Sequence, residues 1–346
     1  MQQIVVDDQE TKLSYIDSGV PASKSGNNYT TIFAIHGSVF TNHVFEKLMA
    51  AAAEHNIRIV AMNRREYPGS TPLSPSDIQI LSSGTDDEKA AFLRARGLEI
   101  ATFACRFAQQ YDIPRISEDG KTGGFVIFGW SFGCSIAHPA VAHFDALPPP
   151  SKQYFSTNLR GLILLEPPTV TLGTPMPPKA WSPHIDTTVP QELRDPFFGH
   201  WISSYFKHGD ISTRDLDVLS YIVPGTFRAP SIYSMSEEQL AKMTYDPPAQ
   251  TSDLPFMIFC SAAANASYRK AFFDKDVRAA LPGMMVAVIM GDATSALSLA
   301  AYFAVQNDDD ALGGGFVRFK ELHGTNHFVH WDEPELILKT VMACIE

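Results

Sequence analysis

The residues best suited to chemistry lie in the run Phe125-Val126-Ile127-Phe128-Gly129-Trp130-Ser131-Phe132-Gly133, where an apolar strand pattern turns into a helical one. Gly129 and Gly133 stand two residues to either side of Ser131. Nucleophilic catalysis explains that spacing. A strand that turns abruptly into a helix forces the serine into strained backbone geometry and projects its oxygen outward, while the glycines let strand and helix approach without colliding side chains. The helix start that follows also favours negative charge at the serine oxygen. Ser131 is the candidate nucleophile.

A serine nucleophile of this kind needs a base and two N–H donors aimed at a developing oxyanion. The Phe132 N–H, just after the nucleophile, is one candidate donor. The other is the N–H of Ser38 in Ala34-Ile35-His36-Gly37-Ser38, which closes an earlier apolar run. His36 is expected to bond locally within that turn and to border the substrate pocket. The turn at 62–70, with Tyr67-Pro68-Gly69-Ser70, is expected to shape the pocket floor. Three histidines, His323, His327 and His330, follow a late apolar run. They form no HExxH pattern and have no acidic ligand at a helical offset, so no metal and no other cofactor is expected.

The elements that must position these residues follow from periodicity. Residues 1–20 read as a hairpin around Asp7-Asp8-Gln9-Glu10, and a polar stretch follows at 24–29. Strand patterns at 31–35, 57–62, 124–128 and 162–165 alternate with helical ones at 44–54, 86–111 and 133–144. That alternation implies βαβ units and a mostly parallel sheet. It lapses at 169–256, a stretch rich in proline and aromatics that includes Trp181, Phe198 and Trp201. It resumes with strands at 284–290 and 316–322 and helices at 295–305 and 334–344. Asp332 and Glu335 suggest a capping box for the last helix. The run at 256–260 fits either a buried strand or part of the insertion.

The domain reading is therefore a core of 1–168 and 257–346 interrupted by an insertion at 169–256. The chain has 346 residues, 45% hydrophobic and 19% charged, which suits a globular protein with a large core. A net charge of -11 argues against general affinity for nucleic acid or anionic membrane. Residues 1–9 are polar and acidic and unlike a secretory leader, and no apolar run nears the ~20 residues that span a bilayer. A cytoplasmic setting is expected, with Cys105, Cys134, Cys260 and Cys344 as reduced core thiols.

The order of the His-Gly turn, the Gly-Trp-Ser-Phe-Gly elbow and the late Gly324-Thr325-Asn326-His327-Phe328 resembles the α/β-hydrolase superfamily, over nearly the whole chain except the insertion. The resemblance implies an α/β fold: an eight-stranded, mostly parallel sheet with helices on both faces, a lid after the sixth strand, and a site at the carboxyl ends of the strands. It also implies His327 as general base, because Asn326-His327-Phe328 before Glu333-Pro334-Glu335 is similar to the family's catalytic loop. His323 and His330 are the alternatives. The family usually holds its acid a few residues past the seventh strand, where this chain has Thr294. Two candidates remain: Asp292, one residue past Gly291, and Glu166, which ends Leu162-Ile163-Leu164-Leu165. Some branches of the family place their acid at the end of this sixth strand. A carboxylate closing an apolar strand needs a partner, and a histidine N–H supplies one. The acid would fix the tautomer of the base and stabilise its imidazolium.

Serine at the elbow excludes the epoxide opening and halide displacement for which the family uses aspartate. The parts fit attack on an ester, lactone or thioester, with an acyl-enzyme then released to water. Retro-Claisen cleavage and acyl transfer use the same parts, and a cyanohydrin-type lyase or a ligand receptor is possible on the same fold. Trp130, Trp181 and Trp201 are expected to line an apolar pocket for a hydrophobic small molecule. Activity should rise with pH as His327 loses its proton.

Overall fold

The protein is described from a computed structural model, which covers residues 1–22 and 28–346. Residues 24–27 of the polar stretch lie outside that description.

Eight strands form one sheet: β1 (Gln2–Val5), β2 (Lys12–Asp17), β3 (Thr30–Ile35), β4 (Ile57–Met62), β5 (Phe125–Trp130), β6 (Leu159–Leu165), β7 (Met285–Gly291) and β8 (Arg318–Leu322). Their order is β1-β2-β4-β3-β5-β6-β7-β8. β1 and β2 form the expected hairpin, β2 runs antiparallel to β4, and every later pairing is parallel. The central strands are buried on both faces, which explains their unbroken apolar sequence. Alternate residues serve opposite faces. Phe33 and Ile35 join the core under helices Asp86–Tyr111, Cys134–Ala142 and Ala296–Ala311. Ile32 and Ala34 join the core under helices Glu46–Ala52 and Pro334–Ile345. Because β3 is flanked by β4 on one side and β5 on the other, the chain reverses its direction of travel there. The crevice at such a switch point is where open α/β sheets bind ligands.

Among the described residues no strand lies between β6 and β7. The chain there forms short helices, including Gln191–Ile202, Glu237–Met243 and Leu254–Phe259. The last of these resolves the ambiguous run at 256–260 as helix, and the boundary drawn at 256/257 cuts through it. The long helix Ser261–Phe273 then packs on the core helices. The periodicity reading missed helices Pro75–Ser83 and Pro149–Asn158, and also Ser261–Phe273 and Lys275–Ala280 after the insertion. The capping box expected at Asp332 does not form. Glu333 occupies the N-cap, and Asp332 accepts hydrogen bonds from Tyr205 Oη and Ser231 Oγ instead. All four cysteines are buried and unpaired. No described helix is long and apolar enough to cross a membrane.

One buried polar contact carries a stability prediction. His138, within helix Cys134–Ala142, donates from Nε2 to the Thr171 carbonyl at 3.0 Å and accepts at Nδ1 from Ser267 Oγ at 3.2 Å. Burial depresses its pKa from the ordinary 6.5 to about 4. The unfolded chain therefore binds a proton that the folded protein refuses. The stabilisation is complete above about pH 6.5 and is lost as pH falls toward 4, with a ceiling of about 3 kcal/mol. His138→Asn should flatten the acid limb of the stability–pH curve in that window. An unchanged slope in urea melts would contradict the assignment.

Candidate active site

Four chain segments converge at the carboxyl ends of β3, β5, β6 and β8. The first is the elbow. Ser131 follows β5 directly with φ 53°, a left-handed conformation that is costly for a residue with a Cβ. The turn is as tight as its glycines suggest. A Cβ on Gly133 would meet the Ile35 carbonyl oxygen at 2.2 Å, and one on Gly129 would meet Cys134 Cα at 2.9 Å. Ser131 itself remains partly exposed.

The second segment is the loop after β3. Gly37 passes so close to the elbow that a Cβ there would stand 2.9 Å from Ser131 Cβ. Ser38 and Phe132 border the same cavity as Ser131. Among the hydrogen bonds of the described turns and side chains, neither the Ser38 nor the Phe132 amide is a donor. His36 bonds locally, as expected: its Nδ1–H donates to the Gly37 carbonyl at 2.8 Å, and its Nε2 accepts from the Arg64 N–H at 3.1 Å. Burial, reinforced by the Arg64 charge, holds its pKa well below the usual imidazole range, so it is neutral.

The third and fourth segments, after β6 and β8, bring Glu166 and His327 together. His327 is buried, with Nδ1 3.3 Å from Glu166 Oε2. Its Nε2 has no hydrogen-bond partner among the described residues, and its ring borders the cavity beside Ser131. Glu166 follows β6 with φ 55°, which turns its side chain toward β7. There the Gly291 N–H donates to Oε1 at 2.6 Å, and the Thr294 hydroxyl donates to Oε2. The buried carboxylate thus has the partners that a charge without solvent requires. Thr294, at the position where the resemblance would place the acid, contributes its hydroxyl to Glu166 on the neighbouring strand.

Asp292 is not brought to His327. It accepts from His323 Nδ1 at 2.6 Å and from the Gly324 N–H at 2.7 Å, on the far side of the loop. His323 is 96% exposed. His330 lies fully buried beside the rings of Trp130 and Phe45, and burial lowers its pKa well below the usual value. The three histidines therefore face three different environments.

Ser131, Phe132, Ser38 and His327 open into a cavity of about 300 Å³. Its far wall comes from the insertion and includes Met176, Trp181, Ile185, Phe198, Trp201 and Ile202. The wall also carries a polar point, His184, whose Nε2 is held by Asp195 at 2.8 Å and whose ring stacks on Phe198. Sequence reasoning missed it, because a lone histidine in an irregular segment carries no pattern. Three expectations are corrected. His36, Trp130 and the 62–70 turn do not line this cavity. Trp130 lies behind it, its indole N–H donating to the His327 carbonyl at 2.9 Å, so it supports the His327 loop from its backbone. Tyr67 is buried under the β3 loop and serves that loop instead.

Comparison with known proteins agrees with this architecture. A family model described as "Alpha/beta hydrolase family" matches residues 32–340. No curated protein matches the sequence. Among solved structures, a bromoperoxidase from Bacillus anthracis aligns with a TM-score of 0.53 at 12% identity, over 99% of each chain. Cfl2 from Burkholderia cenocepacia aligns at 0.52 and 16%, over 100% of this chain and 95% of its own. A thioesterase domain from the curacin biosynthetic pathway aligns at 0.50 and 13%, over 99% of each chain. At these identities the likeness is one of fold.

Proposed function

The chain belongs to the alpha/beta hydrolase family, and on that premise we propose that it hydrolyses a carboxylic ester or lactone of a hydrophobic small molecule through an acyl-enzyme on Ser131. The observation that carries this reading is His327, with Nδ1 beside the Glu166 carboxylate and an unpartnered Nε2 at the cavity that holds Ser131. With Nδ1–H directed at Glu166, the Nε2 lone pair is free to take the serine proton as Ser131 Oγ attacks the carbonyl carbon. The Ser38 and Phe132 amides receive the oxyanion. His327 then gives the proton to the departing alcohol. A water molecule, activated by the same nitrogen, releases the acid.

The apolar wall supports a hydrophobic acyl group, and the segment 169–256 acts as the lid that supplies it. Activity on p-nitrophenyl esters of increasing acyl length tests the proposal. We expect kcat/KM to rise by up to about fourfold per added methylene until the cavity is filled, with an acylated chain trapped on rapid acid quench. A preference for acetate over every longer acyl group, or turnover without any trapped acyl mass, would contradict it.

A further inference from the structure

The loop that offers the Ser38 amide is gripped from behind by a buried charged network. Arg64, just after β4, is 5% exposed and sends Nη2 to the Gly37 carbonyl at 3.2 Å. The same carbonyl accepts from His36 Nδ1. A trans peptide is planar, with its C=O and N–H pointing in opposite directions, and no peptide among the described residues is cis. Fixing the Gly37 carbonyl toward Arg64 therefore fixes the Ser38 N–H away from it. The guanidinium also polarises that peptide unit and lies 4.8 Å over the ring of Phe132, the residue carrying the second amide.

A buried guanidinium needs a counter-charge. Asp253 supplies it, with Oδ1 2.9 Å from Nη1 and Oδ2 2.7 Å from Nη2. Asp253 is 2% exposed and lies in the inserted segment, on the π-helical turn Ala249–Asp253. Tyr67 completes the set. Its hydroxyl donates to Asp253 Oδ2 at 3.0 Å and accepts the Val39 N–H at 3.0 Å, at a residue held with φ 70°. The insertion also grips the loop through its backbone: Tyr245 N–H bonds the Val39 carbonyl at 2.6 Å, and Thr41 N–H bonds the Met243 carbonyl at 2.7 Å.

We infer that Asp253, Arg64 and Tyr67 form a positioning unit through which the inserted segment orients the Ser38 amide for the oxyanion, so that residues 243–253 belong to the catalytic frame as well as to the substrate wall. The inference rests on the acyl-enzyme reading above. None of the three touches the reacting atoms; each acts through the Gly37-Ser38-Val39 backbone. A loop so held would favour the tetrahedral species over the planar substrate.

Two inhibitors of one acyl shape test this. A trifluoromethyl ketone accepts Ser131 Oγ at its carbonyl carbon, the serine proton passing to His327 and the ketone oxygen becoming the oxyanion; the plain methyl ketone stays planar. Asp253→Asn should lower kcat by about 10- to 100-fold, with KM within about threefold of native. It should weaken the trifluoromethyl ketone by the same factor and leave the methyl ketone unchanged. Asp253→Glu should recover part of the loss. If Asp253→Asn fails to fold, Tyr67→Phe carries the test. It keeps the ion pair, removes the partner of the Val39 N–H and should lower kcat by about tenfold with the same inhibitor pattern. Folded variants with native kcat, or with both ketones weakened equally, would overturn the inference while leaving the acyl-enzyme intact. A native protein that neither hydrolyses esters nor takes a fluorophosphonate at Ser131 would overturn the reading beneath it as well.

Discussion

Ser131→Ala should lower kcat on the best ester by about 10⁴-fold or more, leaving a residue of activity from the Ser38 and Phe132 amides and from binding alone. The loss follows from position as well as chemistry. Gly37, Gly129 and Gly133 stand in contacts that leave no room for a Cβ, so the tight turn that presents the Ser131 hydroxyl depends on them. Its left-handed φ of 53° is a strained conformation for a residue with a Cβ. Ser131→Gly should therefore be equally inactive yet more stable than native by about 1 kcal/mol, because glycine adopts that conformation freely. Thermal melts of the two variants check the second half of the prediction. A destabilised Ser131→Gly would contradict the assignment of strain to this residue.

Glu166→Gln should cost about 10²- to 10⁴-fold in kcat, whereas Asp292→Asn should stay within about threefold of native. The contrast rests on where each carboxylate is spent. Glu166 is fully buried and faces His327, Gly291 and Thr294. Asp292 holds the exposed His323 and the Gly324 amide. An amide at 166 can present N–H to His327 Nδ1, which would place the imidazole proton on Nε2 and remove its ability to accept from Ser131. KM should change little, because Glu166 does not border the cavity. Equal losses in the two variants, or a larger one in Asp292→Asn, would show that the acid has been assigned to the wrong strand.

Much of this arrangement was legible in the sequence because buried parallel strands write themselves as apolar runs. The expected helix at 86–111 is found as Asp86–Tyr111, with Thr85 and Glu88 closing its capping box. The elbow needed its glycines where they stand. The helix Pro75–Ser83 does not stand out in the apolar periodicity although Ser74 and Asp77 cap it reciprocally, since only Leu81 of its residues is buried. Pro149–Asn158 begins on the prolines at 148–150, which interrupt the pattern, yet proline is tolerated in the first turn of a helix. The acid stayed open between two residues because the choice depends on a left-handed turn at Glu166 and a hydroxyl from Thr294 on another strand. Neither is a local property. The Arg64–Asp253 pair was invisible in the same way, its partners standing 189 positions apart. Trp130 looked like pocket lining because it flanks the nucleophile, but alternation along β5 turns it toward the His327 loop.

The most direct test of the central claim is the intact mass of the folded protein after exposure to a fluorophosphonate probe, with Ser131→Ala treated in parallel. An activated serine should give a single adduct on the native chain, mapped to the peptide carrying Ser131, and none on the variant. A native protein that stays unlabelled at saturating probe, or an adduct that persists in Ser131→Ala, would contradict the account.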